Sequence, residues 1–124
     1  MKILKIMKVK CIKLSVDNPN KFVINGEMKG YLKLNKINIV YGISFSKGIG
    51  YFYIFNDRHL IEVPMELFEV VDNSLPDNLH LKISEYGEIT LYPELFYSEW
   101  FLDKFSDYEP EERRLFEELR LKMG

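Results

Sequence analysis

YFYIFNDRHLIEVPMELFEVV, residues 51–71, is the stretch whose reading decides the fold. Tyr51–Phe55 and Leu60–Val63 are dense in aromatic and β-branched residues, which fit a pleated, half-buried surface. Asn56-Asp57-Arg58 between them reads as a hairpin loop, because Asn and Asp tolerate the backbone angles of a tight connection. Pro64 ends the second strand, Met65-Glu66-Leu67 makes one helical turn, and Phe68–Val71 resumes extended structure. Strand, short turn, strand is the closing pattern of a small barrel.

Upstream, Ile37–Phe45 and the shorter Tyr31–Leu34 are further strand candidates, and Lys47-Gly48-Ile49-Gly50 reads as another hairpin loop. Val9–Leu14 is a strand candidate with Lys10 and Lys13 interleaved. Met1–Ile6 partly echoes it, MKILKI against MKVKCI, so Met7 is a second candidate start. Asp17-Asn18-Pro19-Asn20 is a turn by composition, and a loop is expected from there to about Gly30.

MKVKCI (7–12), LKLNKINIV (32–40) and the opening stretch together resemble the small SH3-like β-barrels of bacteria and phages, whose last strands carry a similar aromatic-Asn-Asp-acidic-Pro-x-x-x-Phe pattern. The resemblance covers residues 7–72. It implies a fold and no chemistry, since such barrels are binding scaffolds with many unrelated uses.

Residues 73–124 extend that half. Leu79–Ser84 and Glu88–Leu91 flank Glu85-Tyr86-Gly87 and predict a second hairpin. Ile89-Thr90-Leu91-Tyr92-Pro93-Glu94-Leu95-Phe96 echoes Leu60–Phe68: a strand, a Pro, then Glu-Leu-Phe. Duplication is not needed to explain it, because Pro stops a strand and starts a turn whose Leu and Phe pack back on the sheet. Leu95, Phe96, Glu99, Trp100 and Asp103 then fall at helical spacing toward Ser106. Pro110–Lys122 is the clearest helix, with Glu111 and Glu112 in its first turn, Arg120 and Lys122 in its last, and a narrow stripe of Leu115, Phe116 and Leu119.

The fold expected is therefore α+β and mostly β: an SH3-like small barrel or strongly bent antiparallel sheet extended by a second hairpin, with two C-terminal helices. One domain is expected over 1–124, with a barrel-like half at 7–72 and a hairpin plus helical acidic tail at 73–124. At 124 residues, 47% hydrophobic, 15% aromatic and 29% charged, the composition is that of a chain able to bury one core. A single cysteine, Cys11, forms no intrachain disulfide and points to a reducing cytosol. Lysines at 2, 5, 8, 10 and 13 interrupt the N-terminal apolar residues, which argues against a signal peptide, and no stretch reaches the ~18 apolar residues of a membrane span.

The net charge of −2 hides an asymmetry: residues 1–62 carry 11 basic and 4 acidic side chains, residues 63–124 carry 6 and 15. Side-by-side neutralisation of the two halves is the plain explanation, and a charged partner is the other. A search for catalytic groups yields none that combine. Cys11 sits in a predicted strand, where a thiol acts as a small buried hydrophobe. His59 and His80 lie far apart in sequence and on no predicted helix that would bring an i+3 or i+4 ligand to either, so neither metal nor cofactor is expected. Asp57 and His59 share a hairpin tip without a Ser or Cys nucleophile. Glu94, Glu99 and Asp103, and Glu109, Glu111 and Glu112, sit among residues typical of solvated faces.

A non-catalytic binding role is the expectation. The acidic aromatic set Tyr97, Trp100, Asp103, Asp107, Tyr108, Glu109 and Glu112 suits a basic protein target of toxin or nuclease type, as in immunity proteins, antitoxins and phage inhibitors, the chain acting as monomer or homodimer. The alternative is nucleic-acid binding by the basic half, with Lys8, Lys10, Lys33 and Lys36 on phosphates and Tyr51 or Tyr53 stacking on bases.

Overall fold

A computed structural model describes residues 5–14 and 32–123 of the chain. The echo at Met1–Ile6, except its last two residues, the Asp17–Asn20 turn and the loop to Gly30 lie outside the described residues. Among the described residues eight strands are seen: β1 (Met7–Cys11), β2 (Ile37–Val40), β3 (Gly42–Ser46), β4 (Ile49–Phe55), β5 (Leu60–Pro64), β6 (Phe68–Asp72), β7 (Leu79–Ile83) and β8 (Ile89–Pro93). Two helices follow, α1 (Phe101–Ser106) and α2 (Pro110–Met123).

All pairings are antiparallel. A three-stranded sheet runs β2-β1-β6, and a five-stranded sheet runs β5-β4-β3-β8-β7. Val40, Tyr41 and Gly42 carry the chain from β2 in the first sheet directly into β3 in the second, and the Tyr41 amide donates to the Tyr53 carbonyl at 2.8 Å to hold the bend. Of the two expected architectures, the bent antiparallel sheet extended by a second hairpin is the one found. The barrel does not close: the 3₁₀ turn Met65–Leu67 passes the chain from β5 in one sheet to β6 in the other, and no ladder among the described residues joins the two sheets.

The turns follow the residues that make them. Lys47 and Gly48 have φ of 53° and 78°, so the loop expected over 47–50 contracts to the two-residue turn whose twist suits a hairpin, and Ile49 and Gly50 join β4. At the next tip Asn56 Oδ1 accepts from the amides of Arg58 and His59 at 3.2 and 2.8 Å. In the second hairpin Ser84 Oγ accepts from Tyr86 and Glu88, and Gly87 takes φ of 81°. Pro64 and Pro93 each end a strand and open a 3₁₀ turn, at 65–67 and 94–97, so the two echoing segments share one local structure.

Three expectations need correcting. Leu34 is not in a strand: Leu34 and Asn35 form a turn, Asn35 takes φ of 67°, and its amide bonds the Cys11 carbonyl at 2.8 Å. The strand read over 9–14 occupies 7–11, because beyond Cys11 the amides of Ile12 and Lys13 turn to the Leu67 carbonyl. The helix expected from Leu95 to Ser106 is broken into the 3₁₀ turn 94–97 and α1, with Trp100 at φ of 61° between them.

Within the five-stranded sheet, β4 is covered on both faces. Period-2 alternation along β4 sends Phe52 and Ile54 inward, where they meet Val9, Cys11, Val40, Val63 and Leu67 between the sheets. Tyr53 and Phe55 point the other way, into a second core with Tyr41, Phe96, Phe101, Phe105, Phe116 and Met123. Phe52 and Phe55 thus fall on opposite faces and both are packed. Phe105 and Phe116 meet edge to face at 5.1 Å, and Phe55 lies 4.9 Å from Phe116, which seats both helices on the sheet. No helix among the described residues is long and apolar enough to cross a membrane. Phe116→Ala removes the ring on which β4, α1 and α2 converge, and is expected to lower stability by about 3–5 kcal/mol in urea denaturation.

Candidate partner-binding surface

The acidic aromatic residues named from the sequence divide into three groups. Tyr97 is a bolt within the second hairpin: its hydroxyl donates to the His80 carbonyl at 2.7 Å, lies 2.8 Å from Thr90 Oγ1, and its ring sits 4.2 Å under Lys82 Nζ. It is not a free anchor. Glu112 is partly buried on α2, one turn from the arginine-clamped face of that helix, where Arg114 binds Glu111 and Glu118 and Arg120 binds Glu117.

Trp100, Asp103, Asp107, Tyr108 and Glu109 do come together, on and around α1. Phe101 and Phe105 are the buried side of this six-residue helix, which leaves Asp103 and Asp107, one turn apart, on its solvent side. The helix ends in a Schellman motif: the Tyr108 amide bonds the Phe105 carbonyl at 3.1 Å and the Glu109 amide bonds Lys104 at 3.0 Å. The left-handed position of that motif, usually Gly, is filled by Tyr108 at φ of 61°. Trp100, just before the helix, has the same φ. A bulky residue there costs on the order of 1–3 kcal/mol, so two of them bracketing one short helix is a strained arrangement.

The surroundings account for one of the two. Tyr108 covers the Arg113 guanidinium at 4.2 Å, which itself stacks on Phe105 at 3.7 Å and donates through Nη1 to the Arg58 carbonyl at 2.6 Å. His59 adds an edge-to-face contact at 6.1 Å. Trp100 has no such packing: it is 63% exposed and its Nε1 donates to Glu99 at 3.0 Å. Among the described residues Asp103, Asp107 and Glu109 make no ion pair, in contrast to the carboxylates of α2.

The basic set does not form one face. Lys8 and Lys10 alternate with the buried Val9 and Cys11, so they look outward from the three-stranded sheet. Tyr51 and Tyr53 look outward from the five-stranded sheet on the other side of the core. Tyr53 is packed edge to face against Tyr92 and Phe96 at 5.5 and 5.7 Å and cannot stack on a base, which corrects that expectation. Lys10 lies 3.9 Å from Glu69 and Lys36 3.5 Å from Asp57, Lys8 is the cross-strand neighbour of Asp72, and Lys33 stands exposed on the approach to the Asn35 turn. With Lys13 3.9 Å from Glu66, two of these ion pairs join the basic half to the acidic half, so neutralisation accounts for part of the asymmetry.

Burial pushes the Cys11 thiol up, and its Sγ–H contacts the Lys13 carbonyl at 3.4 Å, the setting of a packed hydrophobe. Among the described residues no group of three His, Cys, Asp or Glu is placed to hold a metal ion. Sequence reasoning missed an apolar row at the sheet margin, where Phe45, Ile89 and Ile83 are cross-strand neighbours and Leu81 continues it beside Leu91. Its signal was the alternation Leu79-His80-Leu81-Lys82-Ile83. No protein-family model, curated protein or solved structure matches this chain.

Two predictions follow from these environments. Trp100→Gly relieves the left-handed strain while removing little buried surface, and glycine's own chain entropy offsets part of the gain, so thermal unfolding should show a change smaller than about 1 kcal/mol. Desolvation, and after it the charge of Glu62, holds the Tyr53 hydroxyl far above its ordinary value. A raised folded value means that this stability is intact below pH ~10 and is lost as the pH climbs above it. Denaturation at pH 8 and pH 11 should show a smaller alkaline loss for Tyr53→Phe than for the parent chain.

Proposed function

We propose that the chain is a non-catalytic protein-binding module that engages a basic protein through the surface around α1, in the manner of an immunity protein, antitoxin or phage-type inhibitor. The observation that carries this reading is the strained, exposed Trp100 beside three carboxylates that have no ion-pair partner among the described residues. An aromatic ring held in a costly backbone conformation without packing of its own is placed for contact with something else. Unpaired carboxylates around it raise the rate at which a cationic surface arrives. The anchors are Trp100, Asp103, Asp107, Tyr108 and Glu109; Tyr97 and Glu112 support them from the hairpin and from α2.

The test is a tagged pull-down at physiological salt with the parent chain and with Asp103→Lys/Asp107→Lys/Glu109→Lys. One stoichiometric basic protein retained by the parent and lost by the charge-reversed variant, with circular dichroism unchanged, is the expected result. Retention of that protein by the variant would make the α1 surface a merely solvated face. Recovery of nucleic acid in place of protein would move the function to the lysines of the other sheet.

A further inference from the structure

On the outward face of the five-stranded sheet lies a groove of about 190 Å³ between β4, β3 and β8. Ser44 is buried in its floor, the cross-strand neighbour of Tyr51 on one side and Thr90 on the other. Glu62 and Tyr92 close one end and Glu88 lies at the rim. Gly42 is what lets the Tyr92 ring lie across β3: a Cβ there would stand 2.8 Å from Tyr92 Cδ1.

The state of Glu62 is the informative feature. Its Oε2 accepts from Ser44 Oγ at 2.9 Å and from the Tyr92 hydroxyl at 3.3 Å, so the carboxylate is held in one orientation. Its Oε1 has no hydrogen-bond partner among the described residues, and Glu62 makes no ion pair among them. Among the described residues no lysine or arginine lines the groove. The charge reaches outward uncompensated: it raises the hydroxyls of Tyr51, Tyr53 and Tyr92, in each case after burial itself. A fixed, partly buried carboxylate beside aromatic walls and hydroxyl oxygens is a setting that favours a cation.

We propose that this groove is a socket for a guanidinium group. Its volume falls below the roughly 300–1,000 Å³ of ordinary small-molecule sites and suits a side-chain head group. Glu62 Oε1 and the hydroxyl of Ser46 supply acceptors, and Tyr51 and Tyr92 supply aromatic walls. A guanidinium is planar, weakly hydrated and rich in donors, whereas an ammonium would surrender a tighter hydration shell on entry. The site is distinct from the α1 surface and does not depend on it.

The experiment is a backbone-amide NMR titration with N-acetyl-arginine amide, N-acetyl-lysine amide, N-acetyl-citrulline amide and the peptide Gly-Gly-Arg-Gly-Gly. Saturable shifts centred on Ser44, Glu62 and Thr90 are expected with both arginine ligands. Glu62→Gln should weaken them about tenfold or more, the loss of a charged hydrogen-bond partner. Tighter binding of the peptide than of the amide assigns the guanidinium to a protein partner, and equal binding assigns it to a free metabolite. Should Glu62→Gln fold poorly, the rim variant Glu88→Gln serves instead and is expected to weaken binding less. The charge-reversed α1 variant should still bind arginine amide, which separates failure of one surface from failure of the other. Absence of localised shifts, citrulline or lysine binding as well as arginine, or Glu62→Gln binding like the parent each overturn the proposal.

Discussion

Burial of β4 on both faces is the constraint from which the rest of the molecule follows. An antiparallel sheet usually leaves one face to water, and a strand then alternates apolar with polar residues. Tyr51-Phe52-Tyr53-Ile54-Phe55 does not alternate, so both of its faces demand cover. The three-stranded sheet, reached through the bend at Tyr41, covers Phe52 and Ile54. The C-terminal helices cover Tyr53 and Phe55, and the seat for Phe116 and Phe105 is the reason those helices have a defined position at all. Helices of six and fourteen residues owe their stability to such docking rather than to propensity.

The second hairpin has a different task. By adding β8 to the free side of β3 it widens the sheet beyond the reach of both covers. What is left uncovered is a polar groove on one face and the apolar row of Phe45, Ile89 and Ile83 on the other. The hairpin is locked by side chains rather than by a core: Ser84 organises the turn, and Tyr97 reaches back to the His80 carbonyl from the 3₁₀ turn after β8. The exposed features available to a partner therefore lie at the edges of two well-packed cores, and α1 presents its charged side because its phenylalanines are committed inward. Rigid support under a polar, partly strained surface limits the ordering cost of association.

The echo between Leu60–Phe68 and Ile89–Phe96 illustrates how one local solution serves two tertiary ends. Pro64 and Pro93 are both buried, both at φ near −60°, and both open a 3₁₀ turn. After the first turn the chain finds β1 and continues as β6. After the second the chain joins no sheet and breaks at Trp100 into helix. Local chemistry is the same in both places, and the available neighbour differs.

Most strands were legible because their aromatic and β-branched runs are bounded by Gly, Asn and Pro, and α2 because its charges match its ends. Two-residue precision at the 47–48 turn was not, since Gly48 and Gly50 look alike in sequence and only the pairing of Ser46 with Ile49 separates them. The gathering of Trp100, Asp103, Asp107, Tyr108 and Glu109 could be read from proximity along the chain, while the removal of Tyr97 and Tyr53 from any free surface could not. The Glu62 groove was invisible because Ser44, Glu62 and Tyr92 lie 18 and 30 positions apart and meet only through sheet register. The sequence by itself determined the elements, their punctuation and the acidic character of the tail, all of which depend on near neighbours in the chain. Tertiary structure alone decided which face of each strand is covered, because burial depends on what arrives from elsewhere in the chain.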